Sequence, residues 1–376
     1  MVRITVVVKK RYKQGVIAST PAIITFSLIF GLVVSYVIMW ALVGIDPASF
    51  YGTFLQTAAS FTGIMEPSIF LTLLGTAVSI AFYGSFWNVG AEGQYVLGMV
   101  GAIYVVMFSP LSTALLQGSA HAPGLLKAVA MLLGGLLGAA WAAIPGVLRA
   151  YVGVSEVPVM LLMNYVAYAL SDYLTAYHWR GRYTYGYIRT DMIPEPSRLT
   201  VVPGLEVLRY EALAVLALTL AATYFMLEWT AIGLRVKVLG TNPLALRSAG
   251  FDDRKLVVVV AAVSGFVAGL AGAVRLLGYD YRLPYNMADG KTGFYGYTAI
   301  LVAWLSFRDI RLVVPAALIV ALLSSFGYRM QMSLKGLLPP GVSAYAFSQV
   351  FIGTTLVAYT VVRVLRDYSV SLVITR

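Results

Sequence analysis

The chain alternates long apolar runs with short polar interruptions, a spacing that suits whole helices and not strands. Ten runs can be traced, near 22–43, 68–85, 92–109, 125–147, 156–176, 210–228, 256–277, 293–306, 311–328 and 345–365. A helix needs roughly 20 apolar residues to span the hydrocarbon core of a bilayer. The pattern therefore predicts an all-α integral membrane protein, a polytopic bundle of about ten transmembrane helices. Runs 68–85 and 293–306 are short, with Gly and polar residues at their ends. They read as half-helices or re-entrant segments, which a membrane protein tolerates where they line protein or water instead of lipid.

Composition points the same way. Hydrophobic residues make up 60% of the 376 and charged residues 11%, with a mean hydropathy of +0.82. Soluble domains carry about 25% charged residues. The net charge is +11, from 27 Lys+Arg against 16 Asp+Glu. In a soluble protein that balance would suggest nucleic acid. Here the basic residues concentrate between apolar runs, as in cytoplasmic loops facing anionic lipid, and no nucleic-acid partner is expected. The chain has no cysteine, which excludes disulfides, thiolate metal sites and Cys nucleophiles. His121 and His178, far apart in sequence, make a His-based metal site or triad unexpected.

The basic residues also set the expected topology. Lys9, Lys10, Arg11 and Lys13 precede a run long enough to span, with no small-residue cleavage pattern after it. A retained first helix with its N-terminus inside is expected. Ten crossings then leave both termini cytoplasmic. Arg149, Arg235, Lys237, Arg247, Arg254, Lys255, Arg308, Arg311, Arg363 and Arg366 fall inside. An outer loop near 177–209 holds Arg180, Arg182, Arg189 and Arg198, but is long enough to weaken the charge rule. The whole chain, 1–376, reads as a single transmembrane domain with a short cytoplasmic segment 1–20 and an inner loop near 229–255. Neither long polar stretch has the size or Gly-rich phosphate loop of a nucleotide-binding domain. If ATP drives this protein, a separate chain binds it. Gly134 with Gly138, and Gly265, Gly269 and Gly272 with Ala268 and Ala273, have the spacing of close helix packing.

Three segments carry chemistry. In Asn88-Val89-Gly90-Ala91-Glu92-Gly93-Gln94 an acidic residue sits among glycines and amides between two apolar runs. Such a group is costly at membrane depth unless it faces protein or a water-filled cavity, and the glycines would let the helix unwind to meet it. A cytoplasmic turn, where the charge costs nothing, fits equally well. In the second segment, Gly153 to Pro158 leads into Met163-Asn164-Tyr165. Glu156 sits where a carboxylate complements a helix N-terminus, while Asn164 falls inside a span and should face a partner helix or a pathway. In the third, Thr241 or Asn242 can cap a short helix with Pro243 at its first position, Arg247 and Ser248 in its last turn and Gly250 as its stop. That helix either crosses the inner mouth of the bundle or rests on lipid headgroups.

Together these segments resemble the permease family of ABC importers for simple sugars and nucleosides, with the branched-chain amino-acid permeases as distant relatives. The Asn-hydrophobic-Gly-x-Glu-Gly-Gln element is matched by residues 88–94, and the Met-x-Asn-Tyr element by Met163 to Tyr165. The coupling loop and the helix after it are matched by Gly240-x-Asn242-Pro243 to Ala249-Gly250 and by Ser264 to Ala273. The Glu-Gly-Gln form and the Glu156 to Tyr165 segment look most like the nucleoside-uptake subgroup; residues 177–209 match no part of the family's pattern. The resemblance implies a plasma-membrane transport subunit, not an enzyme. It implies separate ATPase subunits that bind ATP and Mg, no cofactor in this chain, a lipid-anchored external binding protein, and a second permease copy or paralogue. It places Asn88, Glu92, Gln94 and Asn164 as pathway or gate residues. Gly240, Asn242, Arg247 and Gly250 would couple to the ATPase.

A secondary transporter or channel for a small polar solute would explain the hydropathy equally well, with Glu92 as its ion carrier. An intramembrane enzyme finds no support in paired acids, a Ser-His pair or converging metal ligands.

Overall fold

The computed structural model describes residues 3–10, 20–116, 122–183, 186–306, 309–333 and 344–375. Arg11, Lys13, His121 and Arg308, used above for topology or metal chemistry, lie outside them. The described elements run β1 (Arg3–Lys10), α1 (Thr20–Val43), α2 (Pro47–Ala58), α3 (Phe61–Tyr83), α4 (Ala91–Ile103), α5 (Pro110–Leu116), α6 (Ala122–Val147) and α7 (Glu156–Tyr173). They continue with β2 (Val201–Val202), β3 (Leu205–Arg209), α8 (Tyr210–Trp229), α9 (Ala231–Thr241), α10 (Pro243–Ser248), α11 (Asp253–Arg275), α12 (Tyr295–Leu305), α13 (Val313–Ser333), α14 (Ala344–Asp367) and β4 (Tyr368–Thr375). Among the described residues, seven helices are long and apolar enough to cross a membrane, and three shorter ones are apolar.

The chain divides into two compact units, Met1–Ser60 with Leu322–Arg376, and Phe61–Ala321. In the first, α1 packs along α14, with the Ser35 hydroxyl 2.7 Å from that of Thr354. Its core gathers Met39, Phe50, Phe326, Met330 and Phe351. β1 pairs antiparallel with β4, Arg3 opposite Thr375. The sequence reading left both ends without structure, yet Ile4 to Val8 and Val370 to Ile374 are rich in the β-branched residues that suit a strand. The pairing brings the two ends of the chain together.

In the second unit α3 and α4 form the centre: every residue from Ser68 to Tyr83, and all of α4, is buried. The close packing of α4, α6 and α11 follows from their glycines. A Cβ at Gly98 would overlap the Gly269 carbonyl, one at Gly138 the Gly265 carbonyl, and one at Gly272 the Tyr95 carbonyl. The two glycine patterns visible in the sequence thus face one another, and Gly98 of α4 joins them. Lipid tails give helices no hydrophobic reason to associate, so close backbone approach and its dispersion energy take that part.

One short run was misjudged. The run at 68–85 belongs to a full-length helix that starts at Phe61. Glu66 and Pro67 look like a boundary in sequence, but Glu66 is paired with Arg275 on α11 at 2.6 Å, so its charge does not end the helix. The run at 293–306 does remain short. α12 has 11 residues, about 16 Å of helix.

Candidate functional site

The site begins where the backbone leaves the helix. After Tyr83 the chain turns through Ser85, a non-glycine residue at φ +54°, and regains helix at Ala91. Asn88 holds this break closed. Its Nδ2 donates to Gln94 Oε1 at 2.9 Å and to Ser264 Oγ at 2.7 Å. Its Oδ1 accepts from Gln94 Nε2 at 2.9 Å and from the Gly90 N–H at 3.1 Å. The Ser264 hydroxyl in turn donates to the Ala77 carbonyl at 2.6 Å. Asn88 and Gln94 are 0% and 1% exposed, so full pairing is what keeps two amides affordable there.

Glu92 is also 0% exposed. It lies in the first turn of α4, and its carboxylate accepts the Gly296 N–H at 2.7 Å and the Thr292 hydroxyl. Gly296 lies in the first turn of α12. Two helix N-termini therefore share one carboxylate, and each contributes the positive end of its dipole. A Cβ at Gly296 would overlap the Glu92 backbone, so only glycine lets the two ends approach this closely. Phe294, which caps α12, is held at φ +52°, a conformation aromatic residues rarely adopt and one that marks imposed strain.

Asn164 ties α7 into the same cluster. Its Oδ1 accepts the Gly93 N–H at 2.9 Å, while its Nδ2 donates to the Val89 carbonyl at 3.0 Å and the Tyr297 hydroxyl at 3.1 Å. Asn88, Glu92, Gln94 and Asn164 are thus brought together in one buried network spanning α4, α7, α11 and α12. The segment 88–94 faces protein, not a solvated turn, and none of the four presents an accessible side chain in this conformation.

The inner loop is built as a separate piece. Asn242 caps α10: its side chain accepts the Ala245 N–H at 3.1 Å, Pro243 follows at the first position, and Gly250 stops the element at φ +81°. Gly240 lies at the end of α9, where its carbonyl accepts the Ser85 hydroxyl at 2.8 Å. Arg247 grips Asp253 with two bonds, 2.8 and 2.7 Å. Between α10 and the helix ends lies a cleft of about 290 Å³, lined by Ser85, Arg149, Gly240, Pro243, Arg247 and Arg254 among others.

Residues 60–360 match the family described as "Branched-chain amino acid transport system / permease component". The chain belongs to this permease family. It is similar to a glucose ABC transporter permease protein of Haloferax volcanii, 30% identical over 74% of this chain and 73% of the relative. It is also similar to a guanosine ABC transporter permease protein of Bacillus subtilis, 32% identical over 65% of this chain and 67% of the relative. A nucleoside ABC transporter permease protein of Lactococcus lactis is 26% identical over 73% and 76%. No solved structure matches the chain significantly. The permease is a multi-pass plasma-membrane transport subunit and not an enzyme.

Sequence reasoning missed much of what the permease brings to these groups. Thr292, Gly296, Tyr297 and Ser264 complete the network, but nothing in their local pattern points to partners 133 to 204 positions away. Glu156 does more than face a helix dipole. It pairs with Arg149 at 2.5 Å and accepts the Trp87 N–H at 3.1 Å, and Arg149 also donates to the Ser85 carbonyl at 2.7 Å. Arg275, on α11, was not singled out in the sequence. It pairs with Glu66 at 2.6 Å and Asp280 at 2.9 Å, beneath the rings of Phe70, Tyr279 and Tyr295. An Arg inside a predicted span, with acidic residues at both candidate partners' helix ends, was the available signal.

Proposed function

We propose that the permease is the membrane-spanning half of an ATP-binding-cassette importer carrying a nucleoside or a simple sugar inward. The relatives named for guanosine, nucleosides and glucose support that solute class. The observation that carries the coupling mechanism is the link between α9 and the break before α4. The Ser85 hydroxyl bonds to the Gly240 carbonyl, and Arg149 bonds to the Ser85 carbonyl and to Glu156 at the start of α7. Movement of the inner loop therefore reaches both helices that hold Glu92 and Asn164.

In this reading both termini and the loop 229–255 are cytoplasmic, and the seven membrane-length helices with three shorter ones make about ten crossings. Two ATPase subunits, which bind the ATP and Mg, grip α10 and the residues around it, with Gly240, Asn242, Arg247 and Gly250 shaping the docking surface. Leu244, 69% exposed, gives that surface its apolar contact. A lipid-anchored external protein delivers the solute, and a second permease copy or paralogue completes the pathway. Asn88, Glu92, Gln94 and Asn164 act as the gate by fixing the helix breaks behind the pathway wall. Shifting a two-state transporter from 1:99 to 99:1 takes about 5.5 kcal/mol of differential binding, which ATP and the docked binding protein together can supply. Glu92, with its oxygens met by two donors, is better suited to anchoring helices than to carrying ions.

Gentle affinity purification from native membranes tests the assembly, and ATP-driven uptake of guanosine and glucose in vesicles tests the activity. Recovery of an ATPase chain with ATP-dependent uptake supports the importer. A chain that purifies alone and moves solute without ATP overturns it. Within the assembly, Arg247→Glu should abolish ATP-driven uptake while the chain still inserts, and unchanged uptake would defeat the docking surface.

A further inference from the structure

The cleft between α10 and the helix ends carries more positive charge than the acids around it neutralise. Its walls include the ends of three membrane-length helices. Gly84 lies just past α3, Arg149 near the close of the span Pro123–Val152, and Arg254 at the start of the span Asp253–Asp280. Ends of spans lie at the depth where headgroups begin. Three guanidinium groups line the cleft, those of Arg149, Arg247 and Arg254. Asp253, the one acid among the described lining residues, takes both bonds from Arg247. Arg149 is matched by Glu156. Arg254 pairs with no carboxylate among the described residues, although its neighbours in the loop do: Lys255 with Asp252, and Lys237 with Glu228. An arginine side chain offers five N–H donors. Among the described residues, Arg149 engages its partners through Nη1 and Arg247 through Nε and Nη2. All three arginines therefore bring uncommitted donors to one cavity of about 290 Å³.

We propose that this cleft binds the phosphate of an anionic phospholipid headgroup. Phosphate fits because guanidinium forks hold its oxygens with two parallel bonds, and basic pockets between transmembrane helices on the cytoplasmic side suit such headgroups. A lipid fits better than a soluble anion because of what borders the cleft. Tyr151 and Val152, which follow Arg149 and Ala150 of the lining, are 52% and 67% exposed. An aromatic ring and an aliphatic side chain at a span end are suited to lipid. The bound phosphate bridges α10, through Arg247, to the span ends that carry Arg149 and Arg254. It thereby braces the contact between Ser85 and Gly240, which also line the cleft. The leaflet is the inner one in the topology proposed above, and binding itself does not depend on transport.

The full chain, purified in detergent with whatever partners accompany it, is titrated with phosphatidylglycerol and followed by native mass spectrometry. Phosphatidylcholine and inorganic phosphate are the comparison probes. The site predicts saturable retention of a single phosphatidylglycerol per permease chain, much weaker retention of phosphatidylcholine, and no displacement by inorganic phosphate. Arg254→Gln is the deciding variant, because an exposed side chain without a carboxylate partner can be changed without disturbing the fold. It should weaken retention about fivefold or more, the contribution of one arginine near an anionic surface. Arg254→Lys, which keeps the charge and loses the fork, should fall between the two. Arg235→Gln removes an equal charge from the same loop, but Arg235 is not part of the lining and stacks on Phe251 at 4.1 Å. That variant should retain lipid as the unsubstituted chain does. Full retention by Arg254→Gln, an equal loss in Arg235→Gln, equal retention of phosphatidylcholine, or displacement by inorganic phosphate overturns the site. Uptake by the unsubstituted assembly is measured separately. If ATP fails to drive it while lipid retention still depends on Arg254, the importer falls and the lipid site stands.

Discussion

The permease buries charge in two places and by two methods. Among the described residues, the Glu92 carboxylate meets no opposite charge; it is held by a backbone N–H, a hydroxyl and the positive ends of α4 and α12. At Arg275 the guanidinium is met by two carboxylates and lies within 6 Å of three ring centres. The first arrangement depends on where the chain places the Gly296 N–H and the Thr292 hydroxyl. The second is redundant, because either carboxylate still pairs with Arg275 if the other is lost. Isolated charge in a low-dielectric interior requires one solution or the other. The difference suggests that Glu92 fixes a geometry and Arg275 supplies cohesion.

The sharpest way to break that contrast is Glu92→Ala, which leaves the Gly296 N–H at the start of α12 and the Thr292 hydroxyl without their acceptor. With hydrogen bonds to charged groups at about 1.5–3 kcal/mol each, the loss should be roughly 3–6 kcal/mol. Thermal unfolding of the detergent-solubilised protein reads it, and uptake should vanish. Arg275→Ala should cost somewhat less, about 3–5 kcal/mol, because it leaves Asp280 and the partly exposed Glu66 without their counter-charge. An equal or larger loss there would reverse the comparison. Outside both clusters, Asn242→Ala removes the α10 cap for about 1 kcal/mol of local helix stability. It should slow uptake with little change in the global melting temperature. Smallest of all, Glu66→Gln should shift stability by less than about 1 kcal/mol, because Asp280 keeps its pair with Arg275. A large effect would show that the two carboxylates do not substitute for one another.

Local features of the sequence were sufficient for part of this. The cap at Asn242, the proline after it and the stop at Gly250 are visible because each residue acts on its immediate neighbours. The small-residue faces at Gly134/Gly138 and Gly265/Gly269/Gly272 were legible for the same reason. The motif at 88–94 could be found, but not placed. Two amides and a carboxylate among glycines suit a solvated turn as well as a buried break, and only the partners distinguish the two. Asn164 was expected to face a partner helix or a pathway, but Thr292 in the turn before α12 and Gly296 in its first turn announce nothing by spacing. Glu66 misled in the opposite direction: the predicted run starts only at 68, whereas the helix starts at Phe61 and Glu66 within it pairs with Arg275.

The sequence by itself determined that the chain is a helical membrane protein, where its apolar runs lie, and which family its motifs resemble. Hydropathy acts residue by residue, and short motifs act over one or two turns. Tertiary structure decided which polar groups are buried together, which helix ends meet at Glu92, and that Arg149, Arg247 and Arg254 line one cleft. Those outcomes depend on how glycine-lined helices approach across long separations, and a carboxylate is tolerable only once the donors from those other helices have arrived.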